Sequence, residues 1–270
     1  MSFYAKLASA WREADSMLCV GLDPDLSKIP AHLRRESLPL FSFNKALIDA
    51  TAPFACAYKP QFAYYAGQDR LEDLAATMDY LRTQYPSKVS ILDAKRGDIG
   101  STALMYAKEA FEIFQADSVT VNPYMGGDTL EPFTSFTERG TIVLCRTSNP
   151  GSGELQSLAL GGQNEALYET VARLAQSTWN TQRNLALVIG ATYPEELKRV
   201  REIAPDLPFL VPGVGAQGGD LKAVLKHGRM ADGYGLLINS SRGIMYAGGG
   251  EAFAEAAAAE AKRLTLAMRG

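Results

Sequence analysis

Short, nearly continuous apolar runs alternate along this chain with longer stretches of helical periodicity. The runs fall at residues 17–23, 55–60, 89–95, 118–123, 141–147, 185–191, 209–214 and 235–240, and they are rich in Val, Ile, Leu and Ala. Runs apolar on both faces, rather than alternating, are what parallel strands look like when helices cover the outside and side chains fill the inside. The stretches between them, such as 69–85, 101–115, 164–181 and 194–203, carry apolar positions at helical spacing with polar outer faces. Ser101 reads as an N-cap, Pro194 with Glu195 and Glu196 suits a first helical turn, and the Ala-rich tail 251–268 reads as a final helix. Eight βα units in succession predict a closed (β/α)8 barrel, an α/β TIM barrel.

Length agrees with that pattern. The chain has 270 residues, 47% of them hydrophobic, close to the roughly 250 of one such barrel. No linker, low-complexity tract or repeat divides it, so one domain over residues 1–270 is expected. A formal net charge of -3 gives no general attraction to nucleic acid or to an acidic membrane, so neither is expected as a partner and an anionic ligand needs a local basic site. Residues 1–14 read as a short amphipathic helix without the apolar core of a signal peptide, which predicts a cytoplasmic protein. Cys19, Cys56 and Cys145 are odd in number, lie in apolar runs and lack metal-ligand spacing, as reduced core cysteines do. Without a secretion signal, the sequon at Asn239-Ser240-Ser241 carries no weight.

In such a barrel the site is built where strands end and βα loops begin, and these ends are unusually polar. The third run, Val89-Ser90-Ile91-Leu92-Asp93-Ala94-Lys95, delivers an acid and a base two residues apart, which in a regular strand share a face. Lys59 ends the second run and Asp98 follows the third, so the four complete an alternating, neutral Lys-Asp-Lys-Asp array. Asp23, at the end of the first run, suits a turn as well as a site. Pro212-Gly213-Val214-Gly215-Ala216-Gln217-Gly218-Gly219-Asp220 opens a helix after the seventh run, and Arg242-Gly243 follows the eighth. Glycines that let backbone N–H groups approach an anion, beside an arginine, point to phosphate. The long glycine-punctuated loop 149–162 holds apolar residues that a permanently solvated loop does not need, as a lid would. His32 and His227 lie away from these clusters and no Cys/His/Glu group has zinc spacing. The chemistry is expected to run on lysine, aspartate and bound phosphate, with no metal and no organic cofactor. Asn122, Tyr124, Asp128 and Arg146 sit near strand ends and receive no role from the sequence.

The stretch Asp93-Ala94-Lys95-Arg96-Gly97-Asp98-Ile99-Gly100-Ser101-Thr102 resembles the Asp-x-Lys-x-x-Asp signature of the orotidine 5′-phosphate decarboxylases, specifically a bacterial subgroup. Gly-Leu-Asp-Pro, Tyr-Lys-Pro-Gln, Val-Asn-Pro-Tyr, Arg-Thr-Ser-Asn-Pro-Gly and Pro-Gly-Val-Gly-Ala-Gln-Gly-Gly-Asp follow in that subgroup's order, so the resemblance covers essentially the whole chain. It implies metal-free conversion of orotidine 5′-monophosphate to uridine 5′-monophosphate, the last step of de novo pyrimidine synthesis. It implies Lys59, Asp93, Lys95 and Asp98 as the catalytic tetrad, Asp23 as a ribose contact, Ser148 as a pyrimidine contact, and Gln217 and Arg242 as phosphate ligands. It further implies a homodimer in which Asp98 and Thr102 reach the neighbouring site. Lys95 would stabilise the charge developing at C6 and then protonate it. Asp93 would repel the departing carboxylate, by about 4 kcal/mol at ~4 Å and an effective dielectric near 20. Two rivals remain: a magnesium-dependent sugar-phosphate enzyme of the same suprafamily, which shares Asp-x-Lys-x-x-Asp, and a phosphate-binding barrel without chemistry.

Overall fold

The computed structural model describes residues 1–160, 165–214 and 219–269. Among them, eight parallel strands close into a barrel: β1 (Leu18–Leu22), β2 (Ala57–Pro60), β3 (Val89–Arg96), β4 (Ser118–Val121), β5 (Gly140–Arg146), β6 (Leu185–Ile189), β7 (Phe209–Pro212) and β8 (Leu236–Ser240). Each pairs with its neighbours in sequence, and β1 joins β8 through Leu18↔Ile238 and β2 through Cys19↔Ala57. All eight expected runs are therefore strands, with ends that fall within two residues of those expected. The (β/α)8 barrel expected from the pattern is the observed fold.

Helices wrap the outside. Leu71–Gln84, Pro194–Ile203 and Phe253–Arg269 occupy the expected stretches, and Pro39–Thr51 adds another, begun by Pro39 and burying Leu40, Phe43, Leu47 and Ile48. Two expected helices change pitch. Gly100–Lys108 runs into a π-helical turn at Glu109–Ile113, and Leu167–Leu174 into another at Ala175–Trp179. The N-cap at Ser101 is corrected: the helix already starts at Gly100, Ile99 occupies the cap position, and the Asp98 carboxylate accepts from the Ile99 N–H at 2.8 Å.

The amino-terminal helix Phe3–Ala14 decides which end of the barrel is open. Ser2 caps it, accepting from Ala5 N. The Phe3 ring lies against Gly140 at the start of β5, so closely that a Cβ there would come within 2.4 Å of it. Tyr4 donates to the Leu185 carbonyl at 2.6 Å and Trp11 to the Leu236 carbonyl at 2.8 Å, at the starts of β6 and β8. The bottom is thus sealed by apolar packing and satisfied polar tips. The polar strand ends face the other way. No described helix is long and apolar enough to cross a membrane.

Candidate active site

At the carboxyl ends of the strands lies a cavity of about 540 Å³. Asp23 (β1 end), Lys59 (β2), Asp93 and Lys95 (β3), Ser148 (after β5) and Arg242 (after β8) all line it. The second and third strands place its charges. Lys59 Nζ donates to Asp93 Oδ2 at 2.8 Å, and Lys95 Nζ to Asp93 Oδ1 at 2.7 Å. Asp23 Oδ1 lies 3.8 Å from Lys59 Nζ. The Asp93 carboxylate is thus gripped between two ammonium groups, and Lys59 is shared between two carboxylates.

Burial and charge pull in opposite directions here, and charge prevails. Burial alone would raise the Asp93 pKa, but the ammonium groups of Lys59 and Lys95 hold it well below the usual carboxylate range. Burial alone would lower that of Lys59, but Asp23 and Asp93 push it above the usual lysine range. Lys59 is buried, whereas the Lys95 side chain is 46% exposed, so its ammonium remains in reach of solvent protons.

The expected acid–base pair is in contact, but not as a regular strand would place it. Pairing of β3 with β4 runs through Leu92↔Val119, breaks, and resumes at Arg96↔Val121. Lys95 takes a left-handed backbone, φ +47°. A bulge re-aims side chains in this way. Arg96 anchors its far side, bonded to Glu109 at 2.9 and 3.0 Å and stacked between the rings of Phe62 and Tyr106, 4.3 and 4.6 Å from their centroids.

Asp23 Oδ1 is buried without a hydrogen-bond partner, although the residue borders the cavity. A buried acceptor in that condition calls for a donor such as a ligand hydroxyl. Ser148 is held by close packing: a Cβ on Gly190, after β6, would lie 2.8 Å from Ser148 N and Cβ. Gly21 likewise makes room for Ser241, whose Oγ would stand 1.9 Å from a Cβ there.

One expected member of the array, Asp98, lies elsewhere, as does Thr102. Asp98 does not line this cavity, and Thr102 is exposed on the first turn of Gly100–Lys108. Close to them in sequence, Ile99, Leu104 and Met105 are exposed apolar side chains. Gln217 lies outside the described residues. His32 is exposed and neither histidine borders the cavity; Cys19, Cys56 and Cys145 are buried free thiols. Among the described residues, no cluster of His, Cys, Asp and Glu is arranged to hold a metal ion.

Other residues enter that sequence reasoning passed over. Gln61 Nε2 donates to Asp93 Oδ2 at 3.2 Å, the Thr120 hydroxyl donates to Asp93 Oδ1 at 2.8 Å, and Asn239 borders the cavity. Arg146 is turned away from the cavity where the pairing of β5 with β6 shifts between Leu144 and Arg146. Buried there, it pairs with Glu196, stacks on Tyr193 at 4.0 Å, and bonds Ser152 and Gln156 at the base of the 149–160 loop. That loop is more ordered than expected, with a helical turn at Gly153–Gln156 and a two-residue strand Ala159–Leu160 paired to Glu165–Ala166. Its Leu155, Leu158 and Leu160 are exposed; residues 161 and 162 lie outside the described residues. Asn122 accepts from Tyr124 N, and Tyr124 itself is exposed.

Comparison with known proteins agrees with this geometry. An Orotidine 5′-phosphate decarboxylase of Azoarcus sp. is 54% identical over 261 residues, covering 97% of this chain and 96% of the relative. A solved OMP decarboxylase of Leishmania donovani superposes with a TM-score of 0.85 at 40% identity, covering 100% of this chain and 98% of that one. The UMP synthase of Leishmania donovani gives 0.88 at 42% identity over 100% of this chain, which spans 56% of that longer protein. Residues 16–257 match the profile of one family, and the chain belongs to it: the Orotidine 5′-phosphate decarboxylase / HUMPS family.

Proposed function

We propose that this chain removes the carboxylate of orotidine 5′-monophosphate to give uridine 5′-monophosphate, completing pyrimidine nucleotide synthesis in the cytoplasm as a carboxy-lyase without metal or organic cofactor. The observation that carries this reading is the Lys59–Asp93–Lys95 chain of contacts at 2.8 and 2.7 Å in the wall of the cavity. Identity of 54% to decarboxylases over nearly the full length supports the same reaction. The three free, buried thiols suit a reducing compartment.

In the reaction, the bond from ring carbon C6 to the carboxylate breaks, CO2 departs, and the electron pair stays on C6. The Lys95 ammonium stabilises that pair and then donates a proton to C6. Solvent returns the proton to the amine, for which the exposure of Lys95 is suited. Asp93 faces the departing carboxylate, and its low pKa keeps it charged in the free enzyme, so repulsion between the two is relieved as CO2 leaves. Lys59 holds Asp93 in place and offsets its charge. Asp23, which borders the cavity, accepts from a ribose hydroxyl, and Ser148 contacts the pyrimidine.

Phosphate is assigned to Arg242 and Gln217, where its binding energy closes the 149–162 loop over the base. Asp98 and Thr102 serve the neighbouring subunit of a homodimer. The exposure of Ile99, Leu104 and Met105 supports this, since association covers apolar surface that is otherwise wetted.

The test is loss of substrate absorbance from orotidine 5′-monophosphate in EDTA, for wild type and Lys95→Ala. Full turnover by the wild type, and a loss of at least about a thousandfold in kcat for Lys95→Ala, the removal of both charge stabilisation and a general acid, is expected. Turnover that EDTA abolishes and magnesium restores would favour the sugar-phosphate rival, and tight uridine 5′-monophosphate binding without turnover would favour a mere binder.

A further inference from the structure

The bulge that presents Lys95 rests on one hydroxyl. Between Leu92↔Val119 and Arg96↔Val121, β3 spends four steps where β4 spends two, so residues 93–95 stand opposite Thr120 alone. A regular ladder would give their N–H groups backbone carbonyls on β4. Here the Thr120 Oγ1 takes that place, accepting from Ala94 N at 3.1 Å and from Lys95 N at 2.9 Å. The same oxygen donates its proton to Asp93 Oδ1 at 2.8 Å. One donor and two lone pairs exhaust what a hydroxyl can do, and Thr120, 1% exposed, uses all three. Its bonds converge on the two residues that touch the reacting groups in the decarboxylase reading. They also span the point where Lys95 enters the left-handed region at φ +47°, a conformation a side-chain-bearing residue holds only when its surroundings enforce it.

We propose that Thr120 is the positioning residue of this site: its hydroxyl fixes the Asp93 carboxylate and the Lys95 backbone together, and so sets where the Lys95 ammonium stands. This rests on the decarboxylase reading above. Two features separate the role from ordinary strand packing. The side chain sits in a fully buried strand where valine would fill the same volume, and none of the three bonds belongs to the regular β3–β4 ladder. The charged groups facing Asp93 are Lys59 from β2 and Lys95 from β3, with Asp23 of β1 beyond Lys59; of its two uncharged donors, Gln61 and Thr120, Thr120 is the one that also bonds the bulge.

The test compares Thr120→Val, which keeps shape and deletes the oxygen, with Thr120→Ser, which keeps the oxygen. Steady-state decarboxylation of orotidine 5′-monophosphate is measured, with folding checked by circular dichroism. Thr120→Val is expected to lose about a hundredfold in kcat, the cost of misplacing a reacting group by about an ångström, while KM changes by less than about threefold. Thr120→Ser should stay within about fivefold of wild type. Should the valine variant fail to fold, Thr120→Cys, whose thiol is a weak donor and acceptor, is expected to lower kcat with KM preserved. Wild-type kcat in Thr120→Val, or in Thr120→Cys if that is the variant that folds, would overturn the proposal. So would equal losses in valine and serine, or losses confined to KM. A readout independent of the substrate is the Asp93 carboxyl 13C titration, which Thr120→Val should move to higher pH by removing a donor. If the wild type does not decarboxylate this substrate, the functional reading falls, while an unmoved Asp93 titration would sink the Thr120 role by itself.

Discussion

Replacing Asp93 by Asn tests the electrostatic account of the site through stability as well as rate. Asn is nearly the same size, so packing is spared while the charge at the centre of the array is lost; its single amide oxygen can accept on one side only, from Lys59 or from Thr120 and Lys95, because these donors bond different oxygens of Asp93. At 2.8 Å and an effective dielectric near 20, the gross attraction between Lys59 and Asp93 is about 6 kcal/mol, most of it consumed in keeping two ions out of water. What matters is the ion left behind. Breaking a buried pair costs about 3–5 kcal/mol, because the orphan stays desolvated. Asp23 remains 3.8 Å from Lys59, which argues for the low end, about 3 kcal/mol. Lys95 adds little, since its exposed side chain can turn to water. For a chain of this size that is a fall in melting temperature of about 6 °C. The assay is thermal unfolding at pH 7 beside decarboxylation kinetics. A variant as stable as wild type, or more stable, would refute the claim that Asp93 offsets the burial of Lys59, even if its activity vanished.

Three further outcomes follow from the same geometry. Gly190→Ala would press a methyl group to 2.8 Å from Ser148, which must retreat by about 0.8 Å to reach ordinary contact, so kcat/KM should fall about ten- to a hundredfold; unchanged kinetics would show that Ser148 does not touch the substrate. Arg242→Ala should lower kcat/KM for orotidine 5′-monophosphate by about ten- to a hundredfold, the worth of a charged hydrogen bond, yet leave turnover of unphosphorylated orotidine unaltered; a loss on both substrates would place Arg242 elsewhere than at the phosphate. The pKa of Asp93 is depressed on folding, so its contribution to stability is present above about pH 4 and lost as pH falls through the lower folded value; that of Lys59 is raised, so its contribution is present below about pH 10.4 and lost as pH rises through the higher folded value. Urea midpoints should therefore show no titration of this pair between about pH 5 and 9.5, and a neutral-range step abolished by Asp93→Asn would contradict it.

What was legible in the sequence divides along a physical line. Hydrophobic pattern reports burial, so eight runs apolar on both faces were enough for the barrel, and the polar residues ending them were enough to find its mouth. Residue type is likewise carried by sequence, so Lys59, Asp93, Lys95, Asp23 and Arg242 stand out as an inventory before any geometry, and the family resemblance adds Ser148. What pattern cannot carry is a departure from the regular element. Asp93 and Lys95 meet through a bulge with a positive φ at Lys95, where regular strand geometry would have had them share a face. Arg146 ends a strand with no role legible in the sequence, and a shift in pairing turns it out to Glu196 and Tyr193. Thr120 lay unseen for the opposite reason: in Ser-Val-Thr-Val a threonine is an ordinary strand former, and only the bulge across from it creates the two N–H groups it satisfies. Asp98 and Thr102 mark another limit: the motif that singles them out carries no position, and neither lines the cavity. The residues easiest to read are thus those whose chemistry is spent on a ligand, and the hardest are those whose chemistry is spent on holding the first kind in an irregular place.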